Sequence, residues 1–581
     1  MLLQVLLRTT TSSTTTTEAA AILTTFARRF SSTTTKPFSN IPPKHRSKAI
    51  QESQKALSDY LHATRSLPFH YADNIARNSP QSLWRIVSEI PFSPPTFAHS
   101  FQRFLRYHPI NELDFFFESI GLNLDENGRN PRFIIPPNTF FLSDWEHFDV
   151  ACALAGMGFP WRKLGLLCRD ECSIFASDLL DLKRKFSEIK DGYAFNSTTV
   201  ISICLAFPWV LYSDGKKTNG LLSDLKILFL DYDLWSSVEG GNVDSVLDIC
   251  EKIKSFYDLG CEMGELGELM GRSKNIFIEY SKEFLISKIE YFRKLNVPMN
   301  EIGTFLLSKP EIFSLDLETR VISVSGFLDR LGLSGDEMSS LKEKYPHVFG
   351  RNKVANLCGV MRSMNLGEWF FEKMKNGDNH SLLATYTICC TEDLDKHYQE
   401  NFRRTLAKRN HVHAIKKLSF LHSIGFGENK YAVKALALLH SSGRQLQRRF
   451  DCLLSCGIKY SNLCEIVRST AKILNQEEKS LEKKIKYLCN DMGSSLEYLD
   501  SFPGYLCYNL EKRIKPRYEF HKWLVEKDLR RKEYSLSTII ASSEKAYIAR
   551  ISRINGDAAK MWEERRVDRV RNKRVRGRVI M

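Results

Sequence analysis

Nowhere in the 581 residues does an apolar run approach the roughly 18 residues that a membrane-crossing helix needs, so no membrane insertion is expected. Also missing are a Walker loop, a GxGxxG turn, an HExxH helix and any convincing nucleophile motif. Without a phosphate cradle, a metal-binding histidine pair or an activated nucleophile, the expectation is a protein that is not an enzyme and carries no cofactor. The 14 cysteines form no CxxC and have no histidine partner at zinc-finger spacing. Cys168 with Cys172, and Cys452 with Cys456, lie four apart, but two ligands do not make a structural metal site. Buried, reduced thiols in an intracellular or organellar compartment are the reading these cysteines favour.

Acids are scarce at the N-terminus, where Glu18 is the only one before Glu52. Residues 1–36 are rich in Ser and Thr and carry Arg8, Arg28, Arg29 and Lys36. Ala19, Ile22, Leu23, Phe26, Ala27 and Phe30 fall on one helical face. An amphipathic, basic, hydroxyl-rich leader predicts an organellar transit peptide. The string ARRFSS resembles cleavage regions of mitochondrial presequences, which favours the mitochondrion, with the chloroplast as the alternative.

What the chain does have is a pattern written twice. FRKLNVPMNEIGTFLLSKPEIF presents Phe292, Leu295, Ile302, Phe305, Leu306, Pro310, Ile312 and Phe313. LDRLGLSGDEMSSLKEKYPHVF then presents Leu328, Leu331, Met338, Leu341, Tyr345, Pro346, Val348 and Phe349, its proline 36 residues after the first. Apolar residues three and four apart give one greasy helix face. Asn296 or Gly332 sits where the helix must stop, and the proline suits the first position of a short third helix. The same reversal recurs at Gly260, Gly425, Gly457 and Gly493, and more weakly at Gly121, Gly158 and Gly192. One such unit cannot bury its own apolar face, so the expectation is an all-α solenoid of about nine to eleven three-helix repeats.

The organisation that follows is a leader at 1–36, a divergent region or cap at 37–110, degenerate helical repeats at 111–246 and a regular repeat domain at 247–551. An insertion near 376–410 interrupts that domain, and a basic tail closes the chain at 552–581. Lys and Arg total 83 against 68 Asp and Glu, a net +15 that favours a polyanionic partner. Part of this excess sits in the two termini, so the body is only modestly basic. Within the body, Arg403, Arg404, Lys408 and Arg409 end the insertion, Arg444, Arg448 and Arg449 follow in the next repeat, and Lys512, Arg513, Lys515 and Arg517 crowd the end of the array. Such cations would neutralise phosphates and fix register without reading bases. Solvated helix faces are the competing reading. In the tail, Arg565, Arg566, Arg569, Arg571, Lys573, Arg574, Arg576 and Arg578 predict a disordered basic arm.

The segment FPGYLCYNLEKRIKPRYEFHKWL places Pro503, Leu506, Tyr508, Leu510, Glu511, Lys512, Arg513, Ile514, Pro516 and Arg517. With the repeated reversal and the proline step, it resembles the mitochondrial transcription termination factor family, mTERF, in its plant form. STIIASSEKAYIARI, from Ser537, is similar to the closing segment of that family. The resemblance is good from about Leu247 to Ile551, faint back to Leu113 and absent before it. It implies a right-handed α-solenoid whose concave side binds organellar double-stranded DNA or structured RNA, in a monomer acting in gene expression with other organellar gene-expression proteins as further partners. A helical scaffold for protein partners is the alternative from a different class.

Overall fold

In the computed structural model the described residues are 41–122, 141–144, 147–170, 172–213, 215–238, 241–385, 395–407, 411–527 and 534–565. The leader at 1–36, most of the basic tail and part of the insertion lie outside them. Helices dominate, and the reversals set their rhythm. The backbone turns left-handed after a helix at Gly121, Gly158, Ala194, Asp233, Gly260, Asn296, Gly332, Asn365, Gly425, Gly457 and Gly493. Each of these residues ends one helix and lets the chain fold back, as a C′ residue in the left-handed region does.

Three of these positions depart from the expected anchors. Gly192 is the last residue of helix Leu179–Gly192, and Ala194 makes the turn at φ 57°. Asp233 and Asn365 also turn left-handed, a conformation that Asn and Asp tolerate better than most side chains. The reversal at Asp233 leads only into the single turn Trp235–Ser237.

The described residues fold as two units, those up to 258 with 262–282, and 259–261 with those from 283 onward. In the first, helices Pro43–Arg65, Phe69–Asn78, Pro80–Glu89 and Phe97–Tyr107 precede the repeats. Pro80 opens its helix, and Pro68 stands just before another, where a missing N–H costs nothing. Glu112, fully buried at the start of Glu112–Ser119, binds this region to the repeats. It accepts from Arg65 Nε at 2.7 Å and from the Leu142 amide at 3.0 Å.

In the second unit the expected three-helix repeat is seen in Lys282–Arg293, Met299–Ser308 and the 3-10 helix Pro310–Ser314. The proline slot also opens short helices at Pro208–Leu211 in the first unit and Pro503–Cys507 in the second, while Ala471–Asn475 forms without one. Pro346 differs, because residues 346–348 form a turn and no helix. The chain there enters a two-stranded pair, Val321–Ser323 with Arg351–Lys353, and the Asn429 amide donates to the carbonyls of His347 at 3.0 Å and Phe349 at 2.6 Å. Those carbonyls are satisfied from outside, so a third helix is not needed there.

Further on, like stacks on like. Helix His411–Ser423 packs on Gly443–Ser455, and that on Glu478–Lys486; Lys430–Leu438 packs on Tyr460–Thr470. A continuous apolar cluster from Leu418 to Ile540 runs between them. A second, smaller cluster of Phe520, Leu524, Ile539, Tyr547, Ile551, Ile554, Ala558 and Trp562 closes the described chain. Residues 558–565 are helical, including 562–565 from the stretch expected as a disordered arm, and Trp562 is anchored by its Nε1 donating to Glu544 at 2.9 Å.

Candidate nucleic-acid interface

Register divides the basic side chains into two groups with different work. Eight residues before Gly260, Asn296, Gly425 and Gly457 stand Lys252, Lys288, Lys417 and Arg449. Lys484 holds the same slot nine before Gly493, since the π turn Tyr487–Asp491 adds a residue. Four reach a carbonyl in or just after the short third helix of their own repeat, and Lys417, whose repeat has no third helix, reaches the residue that follows Lys430–Leu438. Lys252 donates to Phe277 at 2.9 Å, Lys417 to Leu439 at 3.0 Å, Arg449 to Leu474 at 2.8 Å, Lys484 to Leu506 at 2.7 Å, and Lys288 to Leu315. Carbonyls at the end of a short helix lack an internal partner and carry partial negative charge, so a cation there satisfies both needs. Sequence reasoning missed this role; the signal was a basic residue eight or nine positions before five of the turns.

Arg517 does the same work at the end of the array. It is only 3% exposed. Its Nη1 donates to Ile539 at 2.9 Å, Ile540 at 3.2 Å and Ser542 at 2.7 Å, its Nη2 to Glu544 at 2.7 Å, and the guanidinium lies 4.4 Å from the Tyr547 ring centre. Arg513, half-buried, donates to Ile540 at 2.8 Å and Ala541 at 2.9 Å, and burial lowers its pKa. Lys515 pairs with Glu511 at 2.6 Å. The four cations at 512–517 thus do not form one solvent-facing cluster, and Lys512 alone of them is fully exposed.

The remaining nominated residues separate in the same way. Arg449 is half-buried in its slot. Arg444 and Arg448, one turn apart on Gly443–Ser455, are exposed, as is Arg403. Arg404 is exposed but paired with Glu400 at 2.5 Å. Lys408 and Arg409 lie outside the described residues. Cys204, Cys250, Cys261, Cys358 and Cys464 are buried free thiols, while Cys452 and Cys456 are half-buried. Among the described residues, no three His, Cys, Asp or Glu side chains are placed to hold a metal ion.

Repeats of this construction are matched by a family model. The mTERF model covers residues 153–359 and 405–548, more than half of the chain. The chain belongs to the mTERF family. The stretch between the two matched ranges holds the Asn365 repeat and the insertion, where the period is lost. Among mTERF relatives in Arabidopsis thaliana, the protein named transcription termination factor MTEF18, mitochondrial, is 44% identical over 529 residues, covering 90% of this chain and 94% of that one. Transcription termination factor MTERF8, chloroplastic, is 26% identical over 40% of this chain and 43% of its own length. Transcription termination factor MTERF15, mitochondrial, is 28% identical over 41% and 40%. In this mTERF chain Arg513 and Arg517, from the Glu-Lys-Arg and Pro-Arg steps of the last repeat, both donate to backbone carbonyls.

Proposed function

We propose that this mTERF protein works in the mitochondrion, where it binds nucleic acid and regulates organelle gene expression through transcription termination or initiation, transcript processing or intron splicing. The observation that carries the reading is the 44% identity, over nearly the full length of both chains, to a protein named as a mitochondrial transcription termination factor. The amphipathic basic leader and the net charge of +15 support it. Exposed Arg403, Arg444, Arg448 and Lys512 remain as phosphate-neutralising side chains, while the cations held by carbonyls have a structural use already.

The test is crosslinking of the tagged full-length protein in isolated mitochondria, followed by parallel sequencing of recovered DNA and RNA. Enrichment of a few DNA positions indicates transcription, and enrichment of precursor or intron-containing transcripts indicates processing. Recovery of neither above an untagged control rejects the reading. It would promote the helical scaffold, a reading favoured by surface cations already paired with acids, such as Lys375 with Glu301 at 3.0 Å.

A further inference from the structure

Each inward-pointing cation fixes the rotation of its helix, so positions counted back from it face the same way in every repeat. One residue before Lys417, Arg449 and Lys484 stand Lys416, Arg448 and Lys483. Five residues before Arg449 and Lys484 stand Arg444 and Lys479. All five are exposed, and no ion pair holds any of them among the described residues. Their helices pack on one another in order, and Gly443 comes so close to the Lys416 carbonyl that an added Cβ would lie 2.9 Å from it.

The result is two parallel rows. Within a helix the rows are one turn apart, about 6 Å at 1.5 Å per residue; between helices the step is on the order of 8–10 Å. The strip is therefore narrow, with its long axis running across the repeats. Glu478 and Glu482 border one side, where Cys452 Sγ lies 3.8 Å from the Glu478 carbonyl and 3.7 Å from the Glu482 carboxylate.

Resting on the nucleic-acid reading above, we infer that Lys416, Arg444, Arg448, Lys479 and Lys483 form a strip that grips the phosphates of a single backbone strand, in duplex or single-stranded nucleic acid alike, without reading bases. A strip about 6 Å wide follows one strand; phosphates across a groove would need a second row of cations farther away. All five contacts come from Lys or Arg, the side chains that position a protein on a backbone.

The test uses the full chain and labelled 30-nucleotide probes of arbitrary sequence, as RNA and DNA, single-stranded and duplex, across a salt series. The quadruple variant R444Q/R448Q/K479Q/K483Q is compared with K430Q/K434Q/K459Q/K472Q, which removes equal charge from exposed positions outside the strip. Thermal melts establish that both fold. The strip variant is expected to bind at least about tenfold more weakly, with the salt slope reduced by roughly 0.7 per lost contact on single strands and 0.9 on duplex. The control variant is expected to keep most of the wild-type slope. Equal losses in the two variants, or a duplex losing about twice as many contacts as a single strand, would overturn the inference. If the wild-type chain binds no probe at all, the nucleic-acid reading itself falls.

Discussion

The Lys484 ammonium lies 2.7 Å from the carbonyl oxygen of Leu506, 22 residues further along, and 3.2 Å from Gln476 Oε1. Burial lowers the pKa of this amine, and the carbonyl it holds ends the short helix Pro503–Cys507. Replacing it with Met keeps the aliphatic bulk and removes the donor, leaving buried acceptors unpaired. Lys484→Met is expected to destabilise by about 1–3 kcal/mol in urea unfolding, with Lys484→Arg milder. A neutral outcome for Met would show that the contact adds nothing net.

Arg517 and Lys512 should separate stability from binding. Arg517→Met takes the donor from the Ile539 carbonyl, leaves Ile540 and Ser542 to Arg513 alone and breaks the pair with Glu544, at a cost of roughly 2–3 kcal/mol. Lys512→Gln, at an exposed position, should leave the melting temperature nearly unchanged and weaken nucleic-acid binding. The reverse assignment would appear as unaltered melting in Arg517→Met.

Asn429 both caps and ties. Its Oδ1 accepts from the amides of Tyr431 at 3.1 Å and Ala432 at 3.3 Å, while its Nδ2 donates to the carbonyls around His347. Asp at this position keeps the cap and loses the donors, so Asn429→Asp is expected to cost about 1–3 kcal/mol. Chemical denaturation of the variant against wild type measures it; equal midpoints would mean that the tied turn is dispensable.

Acid should loosen the second unit through two buried rings. Burial, with Arg468 near one and Lys353 near the other, pushes His347 down to about 3 and His422 down to about 4, against an ordinary 6.5. The unfolded chain therefore binds more protons below pH 6.5. Their contribution is intact above that pH and falls by roughly 1.4 kcal/mol per ring for each unit of further acidification, down to the folded value. Urea midpoints at pH 7.5 and 5.0 should diverge less in His347→Phe than in wild type. Identical pH dependence would clear His347 of the effect.

Helix content, the 36-residue period and the inward apolar faces were legible in the sequence, because a solenoid is built from local patterns repeated at fixed spacing. The pairs of residues that announce a turn were legible where Gly or Asn stood, as at Asn296, Gly332 and Gly425. Ala194 was not, since an alanine gives no local sign that packing will drive it to positive φ. Nor was the loss of the third helix after Pro346, which depends on an amide more than 80 residues away.

The nucleic-acid candidates show the same limit. Sequence fixed neither the inward turn of Arg517 nor the outward turn of Lys512, since both are long, basic and five residues apart. The order and charge of the residues by themselves determined that the chain is helical, repetitive and basic. Tertiary structure alone decided which cations hold helix-end carbonyls and which face solvent, because such a carbonyl comes within reach only after the later part of a repeat has folded against its first helix.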